Sequence, residues 1–463
     1  MAKRPTGNNR PSRRRQPLAK VQVTISQLND EGIGMARHEG KELLVAGALA
    51  GEKVLVTIEH SGQRRSIGQL SRVLEKSPLR RTSPCKLADR CQSCALIHMN
   101  YSAQLRYKEA RLKQALAGYT TLQDLKPQPI WGAEQPLGYR TNAKLALSKE
   151  RGQVRIGLYR RGTHQVVDIE DCPLHHPLIN RIVRVVKEEI QRQKIYIYDP
   201  QTQRGLLRYL LVKVSPQTGK AMVTLVAAER NYREITHLAK WLTRKVPEVI
   251  SVHQNINGST GNVVLGRETI RILGVPDLID QVGDIRLRIS PNSFFQVNHE
   301  QAGRIYDLVR RWGHLDRTLS ALDLYCGIGG IALHLAKDAG SVTGIEVVEE
   351  AVRNASENAR MNHLSNCHFR AGDSAELIHD LVPGSIDAAV VNPPRSGCQP
   401  EVIEALANLA PATIIYVSCN PTTLARDLDL LQARGYTATD LQPVDMFPQT
   451  VHLETVVRLQ RKS

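Results

Sequence analysis

Residues 320–336 read SALDLYCGIGGIALHLA, an apolar run that breaks on Gly327, Gly329 and Gly330 and then resumes with helical spacing. A strand that ends in a glycine turn and passes at once into a helix opens a parallel α/β sheet. Glycines at that place let a ligand approach the backbone closely. The strand-like runs SVTGIEV, CHFRAG, IDAAVVN and TIIYVS follow, alternating with helical stretches such as VEEAVRNASENARMNHL. The alternation predicts an α/β domain over 290–463, a doubly wound parallel sheet with ligands at the carboxyl ends of its strands.

Asp323 and Tyr325 straddle the end of the first of these strands. Glu346 ends the second, where an acidic residue accepts hydrogen bonds from ribose hydroxyls. Asp373 follows the third, placed to hold a base amino group. One carboxylate alone would suit a helix cap or the surface. Three at successive strand ends beside a GxGG turn point to a nucleoside cofactor. The dinucleotide fingerprint GxGxxG and a pyrophosphate cradle are missing, so S-adenosylmethionine (SAM) fits better than NAD.

The fifth strand ends in YVSCNPTTLAR, 416–426. Asn420 is suited to cap the next helix and Pro421 to its first position. A helix N-terminus favours negative charge, so the Cys419 thiolate is expected to form more readily than that of a free thiol. Locally, Cys419 reads equally as a nucleophile or as a small buried hydrophobe.

Working outward, the 463 residues carry a net charge of +17, spread unevenly. Residues 1–290 hold 48 Lys and Arg against 25 Asp and Glu, and residues 291–463 hold 14 against 20. A basic front joined to a mildly acidic back suggests that the front holds a polyanion, nucleic acid above all. Residues 1–16, MAKRPTGNNRPSRRRQ, read as a disordered basic arm. Short β runs between glycine-rich turns such as DEGIGMARHEG suggest a small β-barrel over 17–76. A central α+β unit spans 77–289, its strand-like runs including LRYLLVKV and VISVHQNIN. With no apolar leader and no spanning run, the protein is expected in the cytoplasm, away from membranes. Eight cysteines there argue for metal or catalysis rather than disulfides. Cys85, Cys91, Cys94 and Cys172 have a spacing open to structural zinc, an iron–sulfur cluster or unliganded thiols. His175 and His176 are rival ligands but read as loop residues, and Cys326, Cys367 and Cys398 read as packing.

Taken in order, C-x5-C-x2-C with a distant DCP, SFFQVN, DLYCGIGG, NPPRSG, YVSCNP and FPQTVHLE resemble the RNA uracil-C5 methyltransferases, which make 5-methyluridine. Within them the chain resembles the iron–sulfur, TRAM-containing branch acting on 23S ribosomal RNA. The resemblance runs from the β-barrel to the C-terminus. It implies a Rossmann-like class I methyltransferase domain behind an OB-like TRAM barrel. It implies that Cys419 adds to uracil C6, that C5 takes the methyl group of SAM, and that Glu454 removes the C5 proton. Gln296, Tyr325, Gly330, Glu346, Asp373 and Asn392 match cofactor-site positions. Many members have Asn where this chain has Gly330, and Asp where it has Asn392, which keeps an acceptor oxygen without the charge. The cysteine quartet is implied to hold a [4Fe–4S] cluster. Arg395 is expected to contact phosphate or order its loop, and Arg140 and Lys144 match an RNA-contacting strand. The expected partner is ribosomal RNA, without a second subunit.

Three other readings remain open at this level. NPPR resembles the (D/N)PP(Y/F) motif of amino-methyltransferases, although no aromatic residue follows Pro394. The substrate could be the T-loop of tRNA, or the chain could bind RNA through an iron–sulfur domain without catalysis.

Overall fold

The computed structural model describes residues 19–261 and 263–462. The arm expected over 1–16 lies outside the described residues. The chain divides into two compact units, Met1–Thr82 and Ser83–Ser463.

In the first unit, alternating residues build the core. Leu43 and Val45 point inward from Lys41–Ala46, and Val54 and Val56 from Lys53–Ser61. The six strands lie in the order Lys20–Thr24, Lys53–Ser61, Arg65–Glu75, Lys41–Ala46, Gly34–His38, Gln27–Leu28. All pairs are antiparallel except Lys41–Ala46 with Arg65–Glu75. The segment DEGIGMARHEG, expected as a turn, contains the strand Gly34–His38, because Ala36 alternates into the core. Glu52 is fully buried here. Its carboxylate accepts from the Leu49 amide at 2.8 Å and from Arg80 Nη2 at 2.7 Å. Burial works to raise this carboxyl, but Arg80 and the backbone donors outweigh it and hold it below the usual range.

The second unit contains two seven-stranded sheets. The first runs Glu268–Gly274, Val249–Ile256, Lys220–Ala227, Leu207–Ser215, Asn142–Glu150, Gln153–Tyr159, Val166–Asp168. The amphipathic helices Pro177–Gln193 and Arg233–Lys245 bury their apolar stripes on one of its faces. The second sheet decides the fold. Numbering its strands in chain order, their sequence across the sheet is 3-2-1-4-5-7-6. Ser320–Leu324, Ser341–Glu346, Cys367–Ala371, Ala388–Val391 and Thr413–Ser418 are its parallel strands. Glu454–Arg461 and Tyr436–Val444 complete it antiparallel. The order reverses between Ser320–Leu324 and Ala388–Val391, which opens a crevice at their carboxyl ends. No helix among the described residues is long and apolar enough to cross a membrane.

Candidate active site

The crevice is built from the glycine turn. Past Leu324 the backbone enters the left-handed region at Tyr325 (φ 62°), Gly327 (φ 56°) and Gly329 (φ 86°), and Gly330 opens the helix Gly330–Leu335. Tyr325 is the costly member, since a bulky side chain rarely adopts that conformation. Gln296, Tyr325, Gly330 and Asn392 all line the resulting cleft, with Asp323, Tyr306 and Phe294. Asp323 is buried. One carboxylate oxygen accepts from the Ala332 amide at 2.9 Å and the other has no partner among the described residues. Burial pushes its carboxyl up to about 8, and the Glu346 charge adds to this. A buried, half-satisfied carboxylate on the cleft wall suits a ligand ammonium group.

Glu346 joins the site from the next strand: its carboxylate accepts from the Gly327 amide at 3.1 Å and the Val348 amide at 3.0 Å. Asp373 stands one strand further out, exposed, its side chain capping the short helix Ser374–Leu377 through the Ala375 amide at 2.8 Å. The structure therefore gathers five of the six expected cofactor-site residues at the cleft or its turn and leaves Asp373 at the rim.

Cys419 and Glu454 meet because their strands are neighbours. Ser418 pairs with Thr455, so the residues just beyond and just before that pair face each other at the strand ends. Asn420 caps the helix Pro421–Gln432, accepting from the Thr422 amide at 3.1 Å, with Pro421 in its first turn. The expected easy thiolate is not found. Burial pushes the Cys419 thiol above its ordinary value and the Glu454 carboxyl adds to this, while Arg395 only partly opposes them. The capped helix start is outweighed by desolvation and a like charge. Burial also pushes Glu454 up to about 8, again against Arg395. Arg395 lies between, hydrogen-bonded to the thiol and 3.4 Å from His452 Nε2. Burial and the surrounding cations hold His452 down at about 4, so it is neutral and accepts from the guanidinium. The Asn420 side chain donates to the Arg395 carbonyl at 3.0 Å, which ties the NPPR loop to the cysteine's helix. Cys398 is buried against Tyr325 and Tyr416, its thiol pushed up to about 12 by burial, as packing requires.

Tyr306 was not visible in the sequence. It comes from the helix His299–Gly313, and a Cβ at Gly330 would sit 2.9 Å from its hydroxyl oxygen. Its ring fills the place of the side chain that Gly330 lacks. The charges of Asp323 and Glu454 both bear on it, so it stands between the cleft and Glu454.

A second, smaller cavity is lined by Cys85, Cys91, Cys94 and Cys172 among mainly apolar residues. Burial raises the Cys94 thiol to about 12 and raises Cys85 and Cys172 as well. Among the described residues no group of three or more His, Cys, Asp or Glu closes tightly enough to hold a metal ion. His176 caps the helix Pro177–Gln193. Arg140, expected beside RNA, also feels the charges of this pocket: Cys94 and Cys172 act on it, and its buried Nε has no partner among the described residues. Residues beside the pocket also grip the loop before Glu454. The Leu96 amide donates to the Gln449 carbonyl at 3.0 Å and the Tyr139 hydroxyl to the Pro448 carbonyl at 3.0 Å.

Comparison with known proteins agrees with this geometry. The family model described as tRNA (uracil-5-)-methyltransferase matches residues 100–462, and the TRAM domain matches 14–70. An uncharacterised RNA methyltransferase of Geobacter sulfurreducens is 47% identical over 455 residues, covering 98% of this chain and 92% of its own. One from Halalkalibacterium halodurans is 35% identical, covering 98% and 100%. The crystal structure of the Pyrococcus abyssi tRNA (uracil-54, C5)-methyltransferase with S-adenosyl-L-homocysteine superposes with a TM-score of 0.76. It is 28% identical and covers 95% of this chain and all of that one. The chain belongs to the tRNA (uracil-5-)-methyltransferase family, as a SAM-dependent RNA uracil-5-methyltransferase with an N-terminal TRAM domain.

Proposed function

We propose that the protein methylates C5 of a uridine in 23S ribosomal RNA, as a cytoplasmic monomer, with Cys419 as nucleophile and Glu454 as base. The observation that carries this reading is the apposition of these two side chains, with Arg395 beside both and the cofactor cleft adjoining. SAM supplies an electrophilic methyl group when bound. Gln296, Tyr325, Gly330, Glu346, Asp373 and Asn392 would hold it, and the unpartnered oxygen of Asp323 suits its ammonium group. The Cys419 thiolate adds to C6 of a uridine splayed from its stack, and the C5–C6 π electrons move onto C5 and O4. C5 takes the methyl group. Glu454 then accepts the C5 proton, the C5–C6 double bond re-forms, and the thiolate leaves. A carboxyl group poised near neutral pH is matched to that last task.

Cys85, Cys91, Cys94 and Cys172 are proposed to hold a [4Fe–4S] cluster. Four thiols spread around one apolar cavity suit a cluster better than a single zinc ion, and Arg140 would offset its charge. The bound cluster would tie the 85–94 segment to Cys172. The ribosomal target rests on the resemblance to the TRAM-containing branch. The P. abyssi neighbour, a tRNA enzyme by its description, favours tRNA as the second reading.

The test is tritium release from unmodified 23S RNA labelled at uracil C5, in the presence of SAM, with labelled tRNA in parallel. Release from 23S RNA, lost in Cys419→Ala, is expected. Glu454→Gln should transfer methyl but release no tritium and leave an RNA–protein adduct stable to denaturation. Methyl transfer without release would overturn the mechanism, and release from tRNA alone would overturn the target.

A further inference from the structure

Between the hairpin Leu278–Val282/Ile285–Ile289 and the helix His299–Gly313, the chain forms the wall of the cofactor cleft that carries Phe294, Phe295 and Gln296. This wall is neither strand nor helix, so its shape is set by what holds its ends. Its start is gripped from both sheets of the second unit. Lys213, on the strand Leu207–Ser215, is buried, and its Nζ donates to the Ser290 and Ser293 carbonyls at 2.8 and 2.6 Å. From the C-terminal sheet, the helix Glu349–Met361 brings Asn354, whose amide donates to the Ser290 and Ser293 hydroxyl oxygens at 3.0 and 2.7 Å. Glu350, in the first turn of that helix, accepts from the Ser290 hydroxyl at 2.6 Å and from the Asn292 amide at 3.0 Å. A carboxylate only accepts, so Ser290 donates to Glu350 and Ser293 donates to Ser290 at 2.7 Å. The far end is fixed by the Thr141 amide, which donates to the Val297 carbonyl at 2.9 Å.

Two features mark this clamp as more than packing. Burying an amine against two neutral carbonyls is costly, and stability alone would be served as well by an apolar side chain. Burial, with Lys144 adding to it, pulls Lys213 down to about 7 against Glu350 and Asp277. The wall's tip is also not self-supporting: Phe294 is 71% exposed, so burial of its own ring does not hold it at the cleft. Glu350 lies four residues past Glu346, so the clamp ties the wall to the strand end on the cleft's other side.

We propose that Lys213, Asn354 and Glu350 are positioning residues for methyl transfer: acting through Ser290 and Ser293, they hold Phe294 and Gln296 in place along the cofactor cleft. The proposal rests on the cofactor-site role given to Gln296 under the proposed function. Groups that only position others act on the transition state more than on the bound cofactor, because a small misplacement costs rate steeply.

The test compares full-length Lys213→Met and Glu350→Gln with wild type, using the unmodified 23S RNA or tRNA that the wild-type protein methylates. Lys213→Met should lower kcat about tenfold while S-adenosylhomocysteine affinity changes by less than about threefold. Its melting temperature should stay within about 4 °C of wild type, since the buried charge removed offsets the carbonyls left unpaired. Hydrogen exchange should rise in peptides covering 290–297 and stay unchanged over 413–461. Glu350→Gln keeps the shape and removes the terminal acceptor, and should show the same pattern with about a threefold fall in kcat. Wild-type kcat in both variants overturns the proposal. So does a fall in kcat that comes with faster exchange throughout the second unit, which would make the clamp structural only. Gln296→Ala keeps the two readings apart. Unchanged kcat there removes the role of Gln296, whereas a fall there with none in Lys213→Met removes the clamp alone.

Discussion

Arg395 is one cation set against two groups that burial makes reluctant to ionise, Cys419 and Glu454. The proposed mechanism needs both as anions in turn, so kcat/KM should rise with pH through about 8, where Glu454 ionises, and keep rising into the alkaline range set by the thiol, and Arg395→Gln should move that rise to higher pH. A pH–rate profile reads the shift, and an unmoved profile would refute it. Stability runs the other way. The folded-state value of Glu454 lies above its unfolded value, so its contribution is full below about 4.5 and is lost as pH rises toward 8. Glu454→Gln should therefore match wild type in melting temperature near pH 4.5 and exceed it increasingly up to pH 8. At the cleft, Gly330→Ala pushes a methyl group into the Tyr306 hydroxyl. S-adenosylhomocysteine affinity by calorimetry should fall about tenfold, and Tyr306→Ala in the same chain should recover part of it, since the space is shared. Neither pairing could be read from sequence. Gly330 registers there as a missing side chain and Tyr306 as one apolar position of an amphipathic helix.

Among the elements, the five parallel strands of the C-terminal sheet and the helices between them were legible because period and length agree: a four- to six-residue apolar run, a glycine or proline, then a 3.6-residue repeat. The cap at Asn420 and the strand end at Cys419 follow from local chemistry. The state of the thiol does not, because desolvation and the Glu454 charge come from elements distant in sequence. The strand Gly34–His38 was hidden by the glycines of its segment, and the cysteine charges that act on Arg140 come from elements distant in sequence. In the first unit, Arg80 is the partner that makes a fully buried Glu52 tolerable. Arg80→Ala leaves that charge stranded, at a cost of roughly 3 kcal/mol. Hydrogen exchange on the full-length protein should show amides of 20–75 opening faster, with those of 320–461 unchanged.

Across the second unit, the cysteine pocket and the strand that begins at Glu454 are mechanically joined. Leu96, Gln104 and Tyr139 bond the loop 447–450, and the buried pair Lys108–Asp445 anchors its start at 2.5 Å. Cys94→Ser should accordingly raise exchange in 445–454 and slow methyl transfer while leaving S-adenosylhomocysteine bound. Equal exchange in that loop would separate the pocket from catalysis. The sheet order adds a consequence for the life of the chain. Tyr436–Val444 reaches Thr413–Ser418 only through Glu454–Arg461, which slots between them. A nascent or frayed molecule whose sheet is not closed thus presents Cys419 without Glu454. Under the proposed mechanism, closing the last gap in the sheet would arm attack and release together.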